Sequence, residues 1–239
     1  NLRLNCGEIL AVVGASGSGK SLLAHAVLGI LPYNAVMGGE MRYCGAPLDA
    51  ALQEQLRGRE MELIPQSVTY LDPLMRIGRE VCGIYGAPAD MAATLRRLHL
   101  EENVQHLYPF QLSGGMARRV LFSTAVITDA SLIIADEPTP GMDVKSAVEA
   151  LHLLRELADA GKGVLLITHD IDLAVEVADT VAVFYEGRTV DMAPAAAFRG
   201  DGAALVHPYT KALYHALPQN DFTVYTAAEV ARMTAAGGA

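Results

Sequence analysis

One short stretch of the chain has the composition of a phosphate-binding loop. Residues 14–21 read Gly-Ala-Ser-Gly-Ser-Gly-Lys-Ser, which fits the pattern GxxxxGK[ST]. Glycines let consecutive backbone amides point at phosphate oxygens, and a helix that starts at the loop adds the positive end of its dipole. We expect the lysine to reach the β- and γ-phosphates of a nucleotide and the last serine to bind Mg²⁺. The candidate nucleotide-binding residues are Gly14, Ser16, Gly17, Ser18, Gly19, Lys20 and Ser21.

A second stretch supplies carboxylates for the same chemistry. Residues 132–137 read Leu-Ile-Ile-Ala-Asp-Glu, an apolar strand that ends in two acids. On its own, this pattern is more typical of a solvated strand end. Together with the phosphate loop it predicts nucleotide hydrolysis, in which Asp136 holds Mg²⁺ and Glu137 polarises the attacking water. The two motifs do not indicate what work the hydrolysis drives.

These motifs lie in a pattern of alternating strands and helices, which indicates an α/β protein with a largely parallel sheet. The spacing predicts strands at residues 9–13, 40–43, 62–65, 132–135, 164–168, 181–185 and 188–190. It predicts helices at residues 21–30, 49–57, 144–160 and 207–217, and an inserted helical region over 68–126. The first helix is expected to bury Leu22, Leu23, Ala26, Val27 and Ile30.

Composition excludes several classes of protein. The 239 residues include 18 basic and 27 acidic side chains, a net charge of −9, so we expect no nucleic-acid partner. Hydrophobic residues make up 51% of the chain, enough for a substantial core. Cys6, Cys44 and Cys82 form no CxxC pair, which argues against a disulfide framework or a zinc site. No apolar run approaches the ~20 residues that span a bilayer.

A third motif points to a family. Residues 112–116 read Leu-Ser-Gly-Gly-Met, and the chain here resembles the ABC-transporter ATPases, whose signature is LSGGQ. Ser113 is expected to cap a helix, with the amides of Gly114 and Gly115 free at its positive end. The resemblance implies that these three residues bind the γ-phosphate of ATP held by a partner subunit. Met116 replaces the usual glutamine, at the most variable position of the motif.

Three further residues match family elements in the family's order. The resemblance implies that Gln66 contacts magnesium and the reacting water, and that His169 contacts the γ-phosphate. Asp143 matches the aspartate of the loop through which the two ATP sites communicate, although the preceding residues are altered. With ATP and Mg²⁺ as cofactors, the implied catalytic residues are Glu137, His169, Lys20 and Gln66, and the implied metal ligands are Ser21, Gln66 and Asp136.

The resemblance also implies an architecture, the P-loop NTPase fold of the ABC ATPases, with a RecA-like core and a small antiparallel β region. Residues 1–66 and 125–192 would form the core, 67–124 a helical subdomain that carries the signature, and 193–239 a C-terminal extension. The family stacks adenine on an aromatic residue well before the phosphate loop. Only 13 residues precede Gly14, so we expect that residue to lie outside the chain and name none.

Two stretches look like the ATPases of the peptide/nickel importer class. They are Leu-Tyr-Pro-Phe-Gln at 107–111 and His-Pro-Tyr-Thr-Lys-Ala-Leu at 207–213, followed by Leu217 and Pro218. No cysteine follows Cys82, so we expect no iron–sulfur cluster in the tail. Nickel or a metal chelate is placed slightly ahead of peptides as cargo. Apolar residues at 67–81 form either a landing site for a membrane subunit or part of the subdomain core.

The implied protein is a peripheral ATPase subunit at the cytoplasmic face of the cell membrane. Its implied partners are a second ATPase subunit, the same chain or a different one, two integral-membrane permease subunits and, indirectly, an extracytoplasmic substrate-binding protein. Two alternatives stay open. One is an ABC-type accessory subunit of a soluble multi-enzyme complex, such as one that cleaves phosphonates. The other is a non-transport ABC ATPase that works on DNA repair or translation.

Overall fold

A six-stranded sheet forms the centre of the protein, in a computed structural model that describes residues 1–83, 86–217 and 220–236. The strands are β1 Ile9–Gly14, β2 Arg42–Tyr43, β3 Ala46–Pro47, β4 Met61–Ile64, β5 Leu132–Asp136, β6 Gly163–Thr168, β7 Thr180–Tyr185 and β8 Arg188–Pro194. The main sheet has the order β4-β5-β6-β1-β7-β8, in which only β8 pairs antiparallel, with β7. Strands β2 and β3 form a separate antiparallel hairpin.

Helices cover both faces of this sheet. They are α1 Lys20–Leu28, α2 Ala50–Leu56, α3 Ile77–Cys82, α4 Met91–Arg97, α5 Gly114–Val126, α6 Val144–Asp159, α7 Ile171–Val177, α8 Pro208–His215 and α9 Ala227–Ala236. Between residues 67 and 124, the described part of the chain forms helices and short 3-10 turns, without a strand. No helix among the described residues is long and apolar enough to cross a bilayer.

The buried strands divide their side chains between two layers of core. Alternate residues of a strand point to opposite faces, so Leu10 and Val12 face α1 and α2, whereas Ile9, Ala11 and Val13 face the layer that contains α5, α6 and α7. Every residue of β1 and β6 is buried. This is the arrangement expected of a parallel sheet with both faces covered, and it confirms the α/β class.

Most of the predicted elements are present, but the buried face of the first helix was wrong. Leu22 is 51% exposed and Ile30 is 37% exposed, whereas Lys20, Ala24 and Leu28 are buried. The helix begins one residue earlier than expected, at Lys20, and ends before Gly29, whose left-handed φ of 66° stops it. Ile30 therefore lies beyond the helix. The buried face begins with Lys20 and continues, four residues apart, with Ala24 and Leu28.

The described C-terminal residues contain two helices, α8 and α9. Helix α8 begins at a proline after the capping side chain of His207, whose Nδ1 accepts from the amide of Tyr209 at 3.1 Å. The buried hydroxyl of Thr210 donates to Asp191 of β8 at 2.6 Å, which attaches α8 to the sheet. Helix α9 was not predicted. Pro218 and residues 237–239 lie outside the described residues.

Candidate nucleotide-binding and hydrolysis site

The glycine-rich loop connects β1 to α1, and its backbone shape depends on glycine. A Cβ atom on Gly14, where φ is +155°, would lie 2.3 Å from the carbonyl oxygen of Phe184 on β7. The loop is also held from the β7–β8 turn, because the amide of Gly187 donates to the Ser18 carbonyl at 2.9 Å. Two neighbouring strand ends therefore fix the loop in position.

The lysine of the loop is folded into it. Lys20 is only 6% exposed, and its Nζ donates to the carbonyls of Gly14 at 2.8 Å and Ala15 at 3.0 Å. Burial lowers the pKa of Lys20, and the charges of Glu137 and Asp136 oppose that shift. Ser18 Oγ is buried and has no hydrogen-bond partner in the described part of the chain. A buried ammonium group and an unpaired hydroxyl fit a polyanionic group such as a nucleotide phosphate.

A hydroxyl and a carboxylate meet beside the loop. Ser21 Oγ donates to Asp136 Oδ1 at 3.0 Å, although the two residues are 115 positions apart. They meet because Ser21 lies in the first turn of α1 and Asp136 ends β5, both at the carboxyl edge of the sheet. Burial raises the pKa of Asp136, and the hydrogen bond from Ser21 lowers it. Two oxygen ligands at this position fit Mg²⁺.

A carboxylate–imidazole pair stands next to these groups. Glu137 is 7% exposed, and its Oε2 lies 2.8 Å from Nδ1 of the more exposed His169. The backbone of Glu137 has a left-handed φ of 45°, and its amide donates to the Ile167 carbonyl of β6 at 2.8 Å. A non-glycine residue in this region is strained, a feature that is frequent at functional sites. The pair can orient a water molecule and accept a proton from that water.

The remaining predicted residues form no hydrogen bond with this cluster in the part of the chain that the structure describes. Gln66 is exposed, two positions after the end of β4. Ser113 caps α5 by accepting from the Met116 amide at 3.3 Å, and a Cβ added to Gly114 or Gly115 would meet no atom within 4 Å. Helix α5 packs against β4, three strands away from β1.

Asp143 also lies apart from the cluster, at the start of α6. Its Oδ1 accepts from the Ser146 amide at 3.0 Å and its Oδ2 accepts from the Ser146 hydroxyl at 2.6 Å. These hydrogen bonds lower the pKa of Asp143. In this chain the aspartate therefore acts as a helix cap.

Sequence reasoning missed two residues that hold the site together. Gly187, in the β7–β8 turn, donates to the phosphate loop, and no local pattern indicated that contact. Arg118 of α5 is 7% exposed and donates to the Pro65 carbonyl at 3.0 Å. A signal for Arg118 was present, because it shares a helix face with Phe122 and Ala125, both fully buried.

A phosphate loop at the carboxyl edge of a parallel sheet, with Ser21 on Asp136 and Glu137 on His169, defines a nucleotide-hydrolysing P-loop protein. The chain belongs to the ABC transporter family, whose model matches residues 1–140. It is an ATPase of the ABC type, with the fold of the ATP-binding cassette, which confirms the resemblance read from the motifs.

Relatives with similar sequences carry related names. The oligopeptide transport ATP-binding protein OppD of Lactococcus lactis subsp. cremoris is 37% identical over 237 residues, 91% of this chain and 69% of the relative. OppD of Escherichia coli is 33% identical over 240 residues, which cover 92% of this chain and 69% of the relative.

Solved structures have the same fold. The dimeric structure of MJ0796, a bacterial ABC transporter cassette, is similar with a TM-score of 0.73 and 26% identity. That match covers 84% of this chain and 89% of the other. A second dimeric structure of MJ0796, in a post-hydrolysis state bound to ADP and Pi, is similar with a TM-score of 0.72.

Proposed function

We propose that this chain hydrolyses ATP with the residues that meet at the carboxyl edge of the sheet. The observation that carries the proposal is the juxtaposition of Lys20, Ser21 and Asp136 with the Glu137–His169 pair. Loop amides from Gly14 to Gly19 and the Lys20 ammonium bind the phosphates, and the side chains of Ser16 and Ser18 border them. Ser21 and Asp136 would hold Mg²⁺, joined by Gln66 from the end of the neighbouring strand β4, and the ion would supply positive charge to stabilise the phosphoryl group.

The proton chemistry falls to the carboxylate–imidazole pair. Glu137 orients and polarises the attacking water, because its side chain is buried and its backbone amide is bonded to the Ile167 carbonyl of β6. His169 bonds to that carboxylate at 2.8 Å and, with its half-exposed ring, is placed to contact a terminal phosphate. Gln66, exposed after β4, senses the occupied site from the side of the helical region.

The geometry supports a dimer as the working unit. Strands are spaced by about 4.8 Å, so β4 and β1, three strands apart, are separated by about 14 Å. Helix α5, which begins at the signature, packs against β4, so we infer that Ser113, Gly114 and Gly115 do not reach the phosphate loop of their own chain. In the proposed dimer they bind the phosphate held by the other subunit, and Asp143 lies at the loop between the two sites.

The relatives support a role in import, with peptides as cargo. OppD proteins are named for oligopeptide transport, and a Brucella melitensis relative at 34% identity is named a putative peptide import protein. The sequence motifs alone favour nickel slightly over peptides as the cargo, whereas the names of these relatives favour peptides. The chain would work at the cytoplasmic face of the membrane with two permease subunits.

In this proposal, the nucleotide-binding core consists of residues 1–66 and 125–192. Residues 67–124 form the coupling subdomain, and residues 193–239 form the C-terminal extension.

The catalytic part of the proposal is tested by Glu137→Gln. This change keeps the shape of the side chain and removes its basicity, so we expect nucleotide binding to persist and turnover to fall by about 10³-fold. Phosphate release and binding of a fluorescent ATP analogue are measured together. Glu149→Gln, on an exposed helix face, is the matched control. Normal turnover in Glu137→Gln would refute the proposal that Glu137 polarises the attacking water.

The transport part needs the assembled complex. The chain is purified with its membrane partners, reconstituted in vesicles with a substrate-binding protein, and supplied with labelled peptide or with Ni²⁺. We expect ATP-dependent uptake of peptide. Uptake of Ni²⁺ without peptide would support the metal importer instead, and failure to copurify with any membrane subunit would favour a soluble accessory subunit.

A further inference from the structure

A buried arginine joins the signature helix to the segment that carries Gln66. Arg118 is in the second turn of α5, five residues after the signature serine, and its guanidinium donates to the Pro65 carbonyl at 3.0 Å. That carbonyl belongs to the peptide group that links Pro65 to Gln66. The hydrogen bond therefore fixes the orientation of the peptide plane from which Gln66 extends.

The contact is unusual for a charged side chain. Arg118 is 7% exposed, forms no ion pair within the described residues, and its Nε is buried without a hydrogen-bond partner. Burial lowers the pKa of Arg118, since the charged form loses hydration. A guanidinium group buried without a carboxylate destabilises a fold, and an apolar side chain would fill the same space better. A functional role of Arg118 in the site therefore explains its presence better than a packing role in the core.

The two segments that Arg118 connects have separate places in the site. Gly114 and Gly115 form the N-terminus of α5 with free space around the Cβ positions, and Gln66 is exposed just after β4. Ser113 and Arg118 lie on one continuous helix, so a shift of the signature displaces the guanidinium as well. Because the guanidinium is bonded to Pro65, the displacement reaches Gln66 through a single hydrogen bond.

We propose that Arg118 is a positioning residue that couples Gln66 to the signature helix α5, so that Gln66 is aligned for hydrolysis only when Ser113–Gly115 are correctly placed. This inference rests on the role proposed for Gln66. It assigns Arg118 an effect on turnover and not on nucleotide binding, because the phosphate loop lies three strands away.

The test compares variants of the full chain in the assembly in which it hydrolyses ATP. Arg118→Met removes the donors and keeps an apolar stem, and Arg118→Lys retains a single flexible ammonium group that can donate. Arg96→Met is the matched control, because Arg96 is an exposed residue of α4 in the same region, paired with Glu102. We expect Arg118→Met to lower kcat by about tenfold with KM for ATP unchanged, and Arg118→Lys to recover part of the loss.

Two further measurements separate positioning from a structural effect. In Arg118→Met, hydrogen exchange in a peptide covering residues 62–70 should become faster, while exchange of the phosphate loop stays near that of Arg96→Met and the thermal midpoint does not fall below that of Arg96→Met. In a double-variant cycle, Arg118→Met should lower kcat little further once Gln66→Ala is present, because its effect acts through Gln66.

The outcomes distinguish the two proposals. If Gln66→Ala lowers kcat and Arg118→Met does not, the coupling is refuted and the role of Gln66 stands. If Gln66→Ala leaves kcat unchanged, the role of Gln66 fails and the coupling fails with it. Two results would overturn the inference and assign Arg118 a structural role only. One is a fall in kcat from Arg118→Met that is equally large in the natural chain and in Gln66→Ala. The other is a change in KM for ATP that accompanies the fall in kcat. Should Arg118→Met not fold, Arg118→Lys carries the same cycle.

Discussion

A partly buried acid in an edge strand makes the stability of the protein depend on pH. Glu62 is in β4 and shares a strand face with Ile64, which packs in the core layer that contains α5. Burial raises the pKa of Glu62 from its ordinary value of 4.5 to about 7. Between these two values the folded chain keeps the proton and the unfolded chain releases it. The unfolded state therefore binds fewer protons, and stability falls as pH rises through this window.

The size of the effect follows from the same two values. A tenfold change in proton affinity is worth about 1.4 kcal/mol, so ionising Glu62 in the folded protein costs about 3 kcal/mol in full. Part of this loss of stability has already occurred at mildly acidic pH, because the unfolded chain begins to release the proton near its ordinary pKa of 4.5. Between about pH 5.5 and about pH 8 the expected loss of stability is about 2 kcal/mol, and above the folded pKa it becomes constant.

Glu62→Gln tests this reasoning, because glutamine occupies the same space without titrating. The free energy of unfolding is measured by urea denaturation with far-ultraviolet circular dichroism at both pH values. We expect the stability gain of the variant over the natural chain to grow by about 2 kcal/mol from the lower to the higher pH. Glu54→Gln, at an exposed position of α2, controls for loss of a charge. A gain that is the same at both pH values would refute the argument.

Three other changes have outcomes set by single contacts. Gly14→Ala should abolish nucleotide binding in a fluorescent-analogue titration, because its Cβ meets a carbonyl at 2.3 Å, while Gly38→Ala, in open space, should bind normally. His169→Ala should lower turnover and spare binding, whereas His152→Ala, exposed on α6, should change neither in a phosphate-release assay. Thr210→Val should cost about 1 kcal/mol in urea unfolding, since it removes the buried hydroxyl that ties α8 to β8. Unchanged behaviour in any of the three would contradict the contact concerned.

Local patterns were enough to predict the parts of the site that lie at strand ends. The glycine-rich loop follows β1, and Asp136 and His169 follow two other parallel strands, so a parallel sheet brings them to one edge. Strand boundaries were close for the same reason, because buried strands are short apolar runs. The class of the fold and the candidate residues of the phosphate loop and β5 therefore required only motif spacing and the rule that parallel strands share an edge, whereas His169 and Gln66 were chosen from the family resemblance.

The errors arose where a functional contact overrides local periodicity. Helix α1 was expected to bury Leu22, but the helix turns Lys20 inward to bond the loop carbonyls, which leaves Leu22 exposed. Helix α9 was missed although Val230 and Met233, three positions apart, pack against the core. The supports of the site, Gly187 and Arg118, contact residues far away in the chain. Spacing within one segment contains no information on such contacts.

These long-range contacts bear on the proposed division of the site between two subunits. The phosphate loop is held by backbone hydrogen bonds, including the bond from Gly187 to Ser18. Gln66 follows the edge strand β4, which pairs with β5, and the carbonyl of Pro65 accepts a hydrogen bond from Arg118 of the signature helix. In the proposed dimer, a second subunit that contacts the signature would act on this edge of the sheet, and Arg118 would transmit the displacement to Gln66.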